Sequence, residues 1–114
     1  MILYHNPRCS KSRQTLELLQ SKGVEPEVRE YLKDVPSVDE LKQVLKALEI
    51  APRDLLRRKE DEYKIAGLED MSLSDEDVIE AMTRYPKLIE RPILINGDKA
   101  RIGRPPEAVL EILA

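Results

Sequence analysis

Cys9 is the single cysteine of the 114-residue chain, and basic residues crowd around it. His5 and Arg8 precede it, Lys11 and Arg13 follow, and Ser12 stands three positions on. A cysteine reacts as its thiolate, and nearby positive charge favours that form. One cysteine cannot close an intrachain disulfide, and one cysteine with the lone His5 cannot build a structural zinc site. What remains is an inert buried thiol, an accident of sequence, or a nucleophile whose redox partner is another molecule. In Cys9-Ser10-Lys11-Ser12, Ser12 takes the place where a dithiol oxidoreductase carries its resolving cysteine. Its hydroxyl cannot form a disulfide. It can donate a hydrogen bond to a thiolate or a bound anion, and the spacing equally fits a solvated first-turn serine. Only three residues separate Cys9 from Arg13, which excludes the five-residue loop of a tyrosine-phosphatase-type anion cradle.

The elements that must position Cys9 follow from the pattern around it. Met1 to Tyr4 is a short apolar run and reads as a buried strand. His5-Asn6-Pro7-Arg8 reads as a loop, because Asn-Pro is a turn signal and Pro7 has no N–H to give a ladder. A helical pattern runs from Ser10 to about Lys22, with Leu16 and Leu19 on one face and Gly23 as its stop. Cys9 therefore stands where a strand gives way to a helix, and the helix N-terminus favours negative charge there. A second strand is expected over Glu27 to Leu32, completing a βαβ unit with parallel strands and a right-handed crossover.

A helical block follows. Ser37-Val38-Asp39-Glu40 is a capping-box sequence, with Val38, Leu41, Leu45 and Leu48 on one face. Pro52 opens a short helix to about Arg58, and a further turn or two is expected over Glu60 to Ala66, ending at Gly67. Ser74 starts another helix with Val78, Ala81 and Met82 inward and Pro86 as its stop. The tail changes period: Pro92-Ile93-Leu94-Ile95 is a strand, Asn96-Gly97 a hairpin turn, and Lys99 to Ile102 its partner. Arg104-Pro105-Pro106-Glu107 opens a last helix with Val109, Ile112 and Leu113 inward. The order is βαβ, helices, then ββα. That is the order of an α/β, thioredoxin-like fold with a mixed sheet and a helical insert, about residues 37–85, in a single domain.

Three arginines lie far along the chain from Cys9. In a fold of this kind the segment before the third strand faces the cysteine, so Arg91 of Arg91-Pro92 is placed to meet it across the site. An X-Pro bond at that point is often cis. Guanidinium forks suit tetrahedral oxyanions. Spacing alone leaves Arg57, Arg58 and Arg104 among ordinary solvated helix residues.

Composition narrows the partners. Nineteen Lys and Arg against 22 Asp and Glu give a net charge of −3, and no segment is strongly basic. With no Trp or Phe and four Tyr, neither phosphate tracking nor base stacking is supported, so no nucleic-acid partner is expected. No apolar run approaches the roughly 18–20 residues of a membrane span, and Met1 to Pro7 lacks the pattern of a secretory signal. A cytoplasmic monomer is expected, with no metal and no tightly bound cofactor.

Four separated segments now combine: Tyr4-His5-Asn6-Pro7-Arg8-Cys9-Ser10-Lys11-Ser12-Arg13, Leu55-Leu56-Arg57, Glu90-Arg91-Pro92-Ile93 and Gly103-Arg104-Pro105-Pro106-Glu107. In this order, over nearly the whole chain, they resemble the arsenate reductases that work with glutathione and glutaredoxin, and within them a short bacterial subgroup. The resemblance implies that Cys9 is the nucleophile that attacks arsenate. It implies that Arg57, Arg91 and Arg104 hold the oxyanion and the reduced arsenic, with Arg58 adjacent to Arg57 leaving a second register for that ligand. His5 and Ser12 are implied as support for the thiolate, to which Arg8 adds a neighbouring positive charge. Glutathione enters as co-substrate and glutaredoxin completes a two-electron reduction to arsenite. Recruiting an external thiol accounts for the single cysteine.

Two other readings share the fold. One is a glutathione-dependent thiol oxidoreductase similar to monothiol glutaredoxins, which has no use for Arg57, Arg91 and Arg104. The other is a regulator of RNA polymerase similar to Spx, many of which carry Cys-x-x-Cys where this chain has Ser12.

Overall fold

Short apolar segments from the two ends of the chain meet in one mixed sheet. In the computed structural model, which describes residues 1–113, Ile2–Tyr4 (β1) pairs in parallel with Glu27–Arg29 (β2) and antiparallel with Ile93–Asn96 (β3). Lys99–Ile102 (β4) pairs antiparallel with β3, giving the order β2-β1-β3-β4. Ser10–Ser21 (α1) joins β1 to β2. Parallel strands need such a crossover, because a tight turn can join only antiparallel neighbours.

Leu3 of β1 lies opposite Leu94 of β3, and both are fully buried. They form one core with Leu19 of α1 and with Val109 and Ile112 of the last helical segment. Ser12, Thr15 and Leu19 form the buried stripe of α1, the three-and-four spacing that keeps one helical face inward. Gly23, at φ +76°, follows the helix end and takes the left-handed conformation that stops it.

Two units are distinguished: residues 1–34 with the chain from Arg91 onward, and Val35–Glu90. The second is helical. Val38–Leu48 (α2) and Asp75–Arg84 (α4) each open with a complete capping box, Ser37 with Glu40 and Ser74 with Asp77. An ion pair between Lys42 and Glu76 links the two helices. Between them lie a 3-10 turn at Pro52–Leu55 and the short helix Asp61–Ile65 (α3). Arg53 donates to the carbonyls of Leu68 (3.0 Å) and Asp70 (2.8 Å), fixing the loop that follows α3.

Four expectations need correction. The second strand ends at Arg29 and does not reach Leu32, because the chain turns at Tyr31, whose ring leaves the strand to stack on Tyr4 at 6.3 Å. The Pro52 segment stops at Leu55: Leu56 is extended and bridges Ile89. The hairpin turns on Gly97 and Asp98, since Asn96 still pairs with Lys99, and Gly97 takes the positive φ of +64°. The last helical segment is 3-10 and runs from Pro106 to Ile112, so Arg104 precedes it and does not begin it.

Candidate active site

Cys9 is placed by a short loop stitched to the helix it precedes. Its N–H donates to the Asn6 carbonyl (3.0 Å), and the Arg8 N–H donates to Asn6 Oδ1 (3.0 Å). The two bonds make a tight turn in which Pro7 supplies a preset φ and Asn6 supplies a side-chain acceptor. Arg13 Nη1 donates to the Pro7 carbonyl (3.0 Å), tying the loop to the first turns of α1. Cys9 is the N-cap of α1, with extended backbone (φ −91°, ψ 124°) and no side chain capping the helix. The first-turn amides of a helix have no intrahelical acceptors, so they and the helix dipole favour negative charge at the sulfur.

Arg104 completes the site. Its Nη2 donates to Cys9 Sγ at 3.7 Å and its Nε donates to the Arg91 carbonyl at 2.8 Å. Among the described residues it is the side chain hydrogen-bonded to the sulfur. The rigid, planar guanidinium fork holds both partners in fixed directions, which the point-like ammonium of a lysine does not reproduce. Arg91 thus enters the site through its carbonyl, and its half-buried side chain leaves from the same residue. The Arg91–Pro92 and Arg104–Pro105 bonds are both cis.

Gly103 sets how closely that segment approaches α1. A Cβ there would stand 2.6 Å from Thr15 Oγ1 and 2.8 Å from Pro92 Cγ. Its N–H donates to the Pro92 carbonyl (2.9 Å), and Thr15 Oγ1 turns back to the Lys11 carbonyl (2.8 Å). Thr15 and Gly103 were not legible as site-builders from residue type alone. The one available signal was a glycine between the end of a strand and an Arg-Pro pair.

The remaining candidates fall in different places. Ser12 is fully buried and its Oγ accepts from the Asn6 N–H at 3.4 Å, so it is not a solvated first-turn serine. Its hydroxyl proton is still available to a partner. His5 is buried, its N–H donates to the Arg29 carbonyl (2.9 Å), and its Nδ1 has no hydrogen-bond partner among the described residues. Burial holds its pKa below the usual 6.5; Glu30 opposes that shift and Arg13 adds to it. A neutral imidazole can accept or donate a proton, whereas an imidazolium supplies fixed charge. The Arg8 side chain is exposed. Arg57, in the other unit, is half-buried and held by Glu60 Oε1 (2.6 Å) and Glu90 Oε1 (3.7 Å), while Arg58 is exposed.

A sulfur at a helix N-terminus, with a guanidinium against it, can attack an electrophilic centre and hold the charge of an oxyanion bound there. No group of three or more His, Cys, Asp or Glu side chains suited to a metal ion is found among the described residues.

Known proteins resemble this chain over most of its length. The model of the ArsC family matches residues 4–112. The chain is 56% identical over 112 residues to YfgD, an uncharacterized protein of Escherichia coli (strain K12), covering 97% of this chain and 94% of that one. It is 51% identical over 114 residues to an arsenate reductase of Haemophilus influenzae, covering 99% and 98% of the two chains. Among solved structures, an arsenate reductase from Vibrio cholerae superposes with a TM-score of 0.95 at 51% identity, covering 98% of this chain and 96% of that one.

Proposed function

The chain belongs to the ArsC family, and from that premise we propose that it is an arsenate reductase using Cys9 as its nucleophile. The observation that carries the reading is the bond from Arg104 Nη2 to Cys9 Sγ, with the same guanidinium anchored on the Arg91 carbonyl. A cation beside the sulfur favours the thiolate of a thiol oxidoreductase as well. A planar guanidinium fork held there, with Arg91 of the segment leading into β3 beside it, in addition suits a tetrahedral oxyanion.

Arsenate is a tetrahedral dianion or monoanion at neutral pH. Arg104 and the first-turn amides of α1 offer it donors next to Sγ, and the Arg91 side chain adds a second fork. The Cys9 thiolate attacks arsenic, an As–O bond breaks, and the oxygen leaves as water after taking up protons. His5, held neutral by burial, is suited to accept or return a proton near this step. The site then carries a Cys9–S–As(V) adduct.

Reduction needs two electrons that one cysteine cannot supply. Glutathione forms a second S–As bond, displacing another oxygen as water. A glutaredoxin thiolate then attacks the glutathione sulfur, the S–As bonding pair passes to arsenic, and As(V) becomes As(III). Hydrolysis of the remaining Cys9–S–As bond releases arsenite and restores the thiol. A cytoplasmic setting, where glutathione is kept reduced, fits this sequence. Ser12 and Arg8 are assigned to support the thiolate and Arg57 to hold the oxyanion, as the family resemblance implies.

The test is arsenite release from arsenate in the presence of glutathione, glutaredoxin, NADPH and glutathione reductase. Protein-dependent arsenite that disappears on omitting either thiol supports the reading. Turnover of a glutathionylated disulfide without any arsenite replaces it with the oxidoreductase reading.

A further inference from the structure

An open groove of about 510 Å³ runs along α1, the helix that Cys9 caps. One wall is the helix face carrying Lys11, Gln14, Glu17 and Ser21, and the other begins at Pro105 and continues to Glu107. Both walls begin at residues that adjoin the Cys9 site in sequence. Lys11 lies in the first turn of the helix that Cys9 caps, and Pro105 directly follows Arg104, whose guanidinium touches Sγ. The groove is therefore a surface that leads away from the place where a second thiol must arrive.

Its lining is neither purely apolar nor of one sign. Lys11 supplies a cation at the Cys9 end, Glu17 and Glu107 supply anions, and Gln14 and Ser21 supply neutral hydrogen-bonding groups. Such a lining suits a zwitterion with peptide groups. Glu17 lies six helical steps beyond Lys11, about 9 Å of rise. An extended tripeptide spans about 10 Å. The volume lies within the range of small-molecule sites, about 300–1,000 Å³.

We propose that this groove seats the body of the thiol co-substrate, a short zwitterionic peptide thiol, so that its sulfur meets arsenic on Cys9. A carboxylate lies on Lys11, an ammonium on the glutamates, and the peptide groups on Gln14 and Ser21. In the step this serves, the peptide thiol gives up its proton, an S–As bond forms, and an As–O bond breaks with the oxygen leaving as water. Arsenic keeps its oxidation state in that condensation. The assignment rests on the arsenate-reductase reading for the identity of the step, but the binding itself does not require arsenic.

Two measurements separate the possibilities. S-methylglutathione, which cannot react, is titrated into the ¹⁵N-labelled protein. Saturable shifts at the amides of Lys11, Gln14, Glu17 and Glu107 support the seat, and shifts gathered elsewhere or absent overturn it. In the coupled assay, the charge reversals Glu17→Lys and Glu107→Lys together raise the glutathione KM about fivefold, as expected for two exposed charge contacts, and leave the arsenate KM unchanged. An unchanged glutathione KM overturns the proposal, and so does a rise confined to the glutaredoxin KM, which makes the groove a protein-docking surface. If the wild type releases no arsenite yet S-methylglutathione shifts the groove amides, the seat stands and the arsenate reading fails.

Discussion

Arg104 and Cys9, 95 positions apart in sequence, are joined by a 3.7 Å hydrogen bond from Nη2 to Sγ. The bond exists because β3 and β4 return the chain to the β1–α1 junction and because Gly103 lets the following segment lie against Thr15 and Pro92. The same guanidinium donates to the Arg91 carbonyl at 2.8 Å, so this exposed side chain is already oriented toward the sulfur without substrate. Preorganised donors of this kind need no rearrangement as charge develops.

Arg104→Lys keeps the charge and loses the fork. One ammonium cannot bond the Arg91 carbonyl and Cys9 Sγ in the same geometry. A hydrogen bond to a charged group is worth about 1.5–3 kcal/mol, so kcat/KM for arsenate falls by roughly 10–100-fold with the thermal midpoint little changed. Steady-state kinetics at saturating glutathione measure it. Wild-type kinetics in Arg104→Lys remove the fork from the mechanism.

Arg91→Lys isolates the side chain from the carbonyl, because the anchor for Arg104 belongs to the backbone and survives. The expected result is a rise of about tenfold in the arsenate KM from loss of bidentate recognition. If the arsenate KM is unaffected, Arg91 serves the site through its carbonyl alone.

Gly103→Ala strains the site from behind. The new Cβ meets Thr15 Oγ1 at 2.6 Å and Pro92 Cγ at 2.8 Å, so both walls must give or the Gly103 backbone must shift. Overpacking of this kind costs about 1–3 kcal/mol and here also displaces Arg104. Adding Thr15→Ala removes one obstruction, and denaturant titration of both variants should show partial recovery in the double one. Equal destabilisation of Gly103→Ala with and without Thr15 argues that the contact with Thr15 is unimportant.

His5 links stability to pH. Its folded pKa lies below the ordinary 6.5, chiefly through burial, so between those two values the unfolded chain holds a proton that the folded chain does not. Stability therefore falls as pH drops from about 6.5 toward the folded value, and it is constant for this group above that window. His5→Asn flattens this part of the profile, read as the denaturation midpoint at several pH values between about 5 and 8. An equally steep slope in the variant assigns the dependence to other groups.

Local signals made much of this architecture legible. Gly23 marked the end of α1, and the capping box at Ser37 and the helix start at Ser74 marked the starts of α2 and α4, because each rests on residues close in sequence. The strand expected over Glu27 to Leu32 overran, since Tyr31 within that span stacks on Tyr4 and the chain turns there. Asn96-Gly97 gave the hairpin but shifted its centre by one residue, because the pairing of Asn96 with Lys99 decides the register. At the site, the Cys9 loop could be read from Asn6 and Pro7. Arg104 could not be read from spacing, since its partner lies 95 positions away, and only family resemblance brought it forward. Ser12 was open between a donor to a thiolate or bound anion and a solvated first-turn serine; the packing of α1 buries it, which removes only the solvated alternative.

The most direct measurement is arsenite release by Cys9→Ser beside the wild type, with glutathione and glutaredoxin saturating and both proteins checked for the same denaturation midpoint. One atom changes at a loop–helix junction, so the fold is expected to persist while protein-dependent turnover disappears. Arsenite release at the wild-type rate from Cys9→Ser would contradict the assignment of Cys9 as the nucleophile.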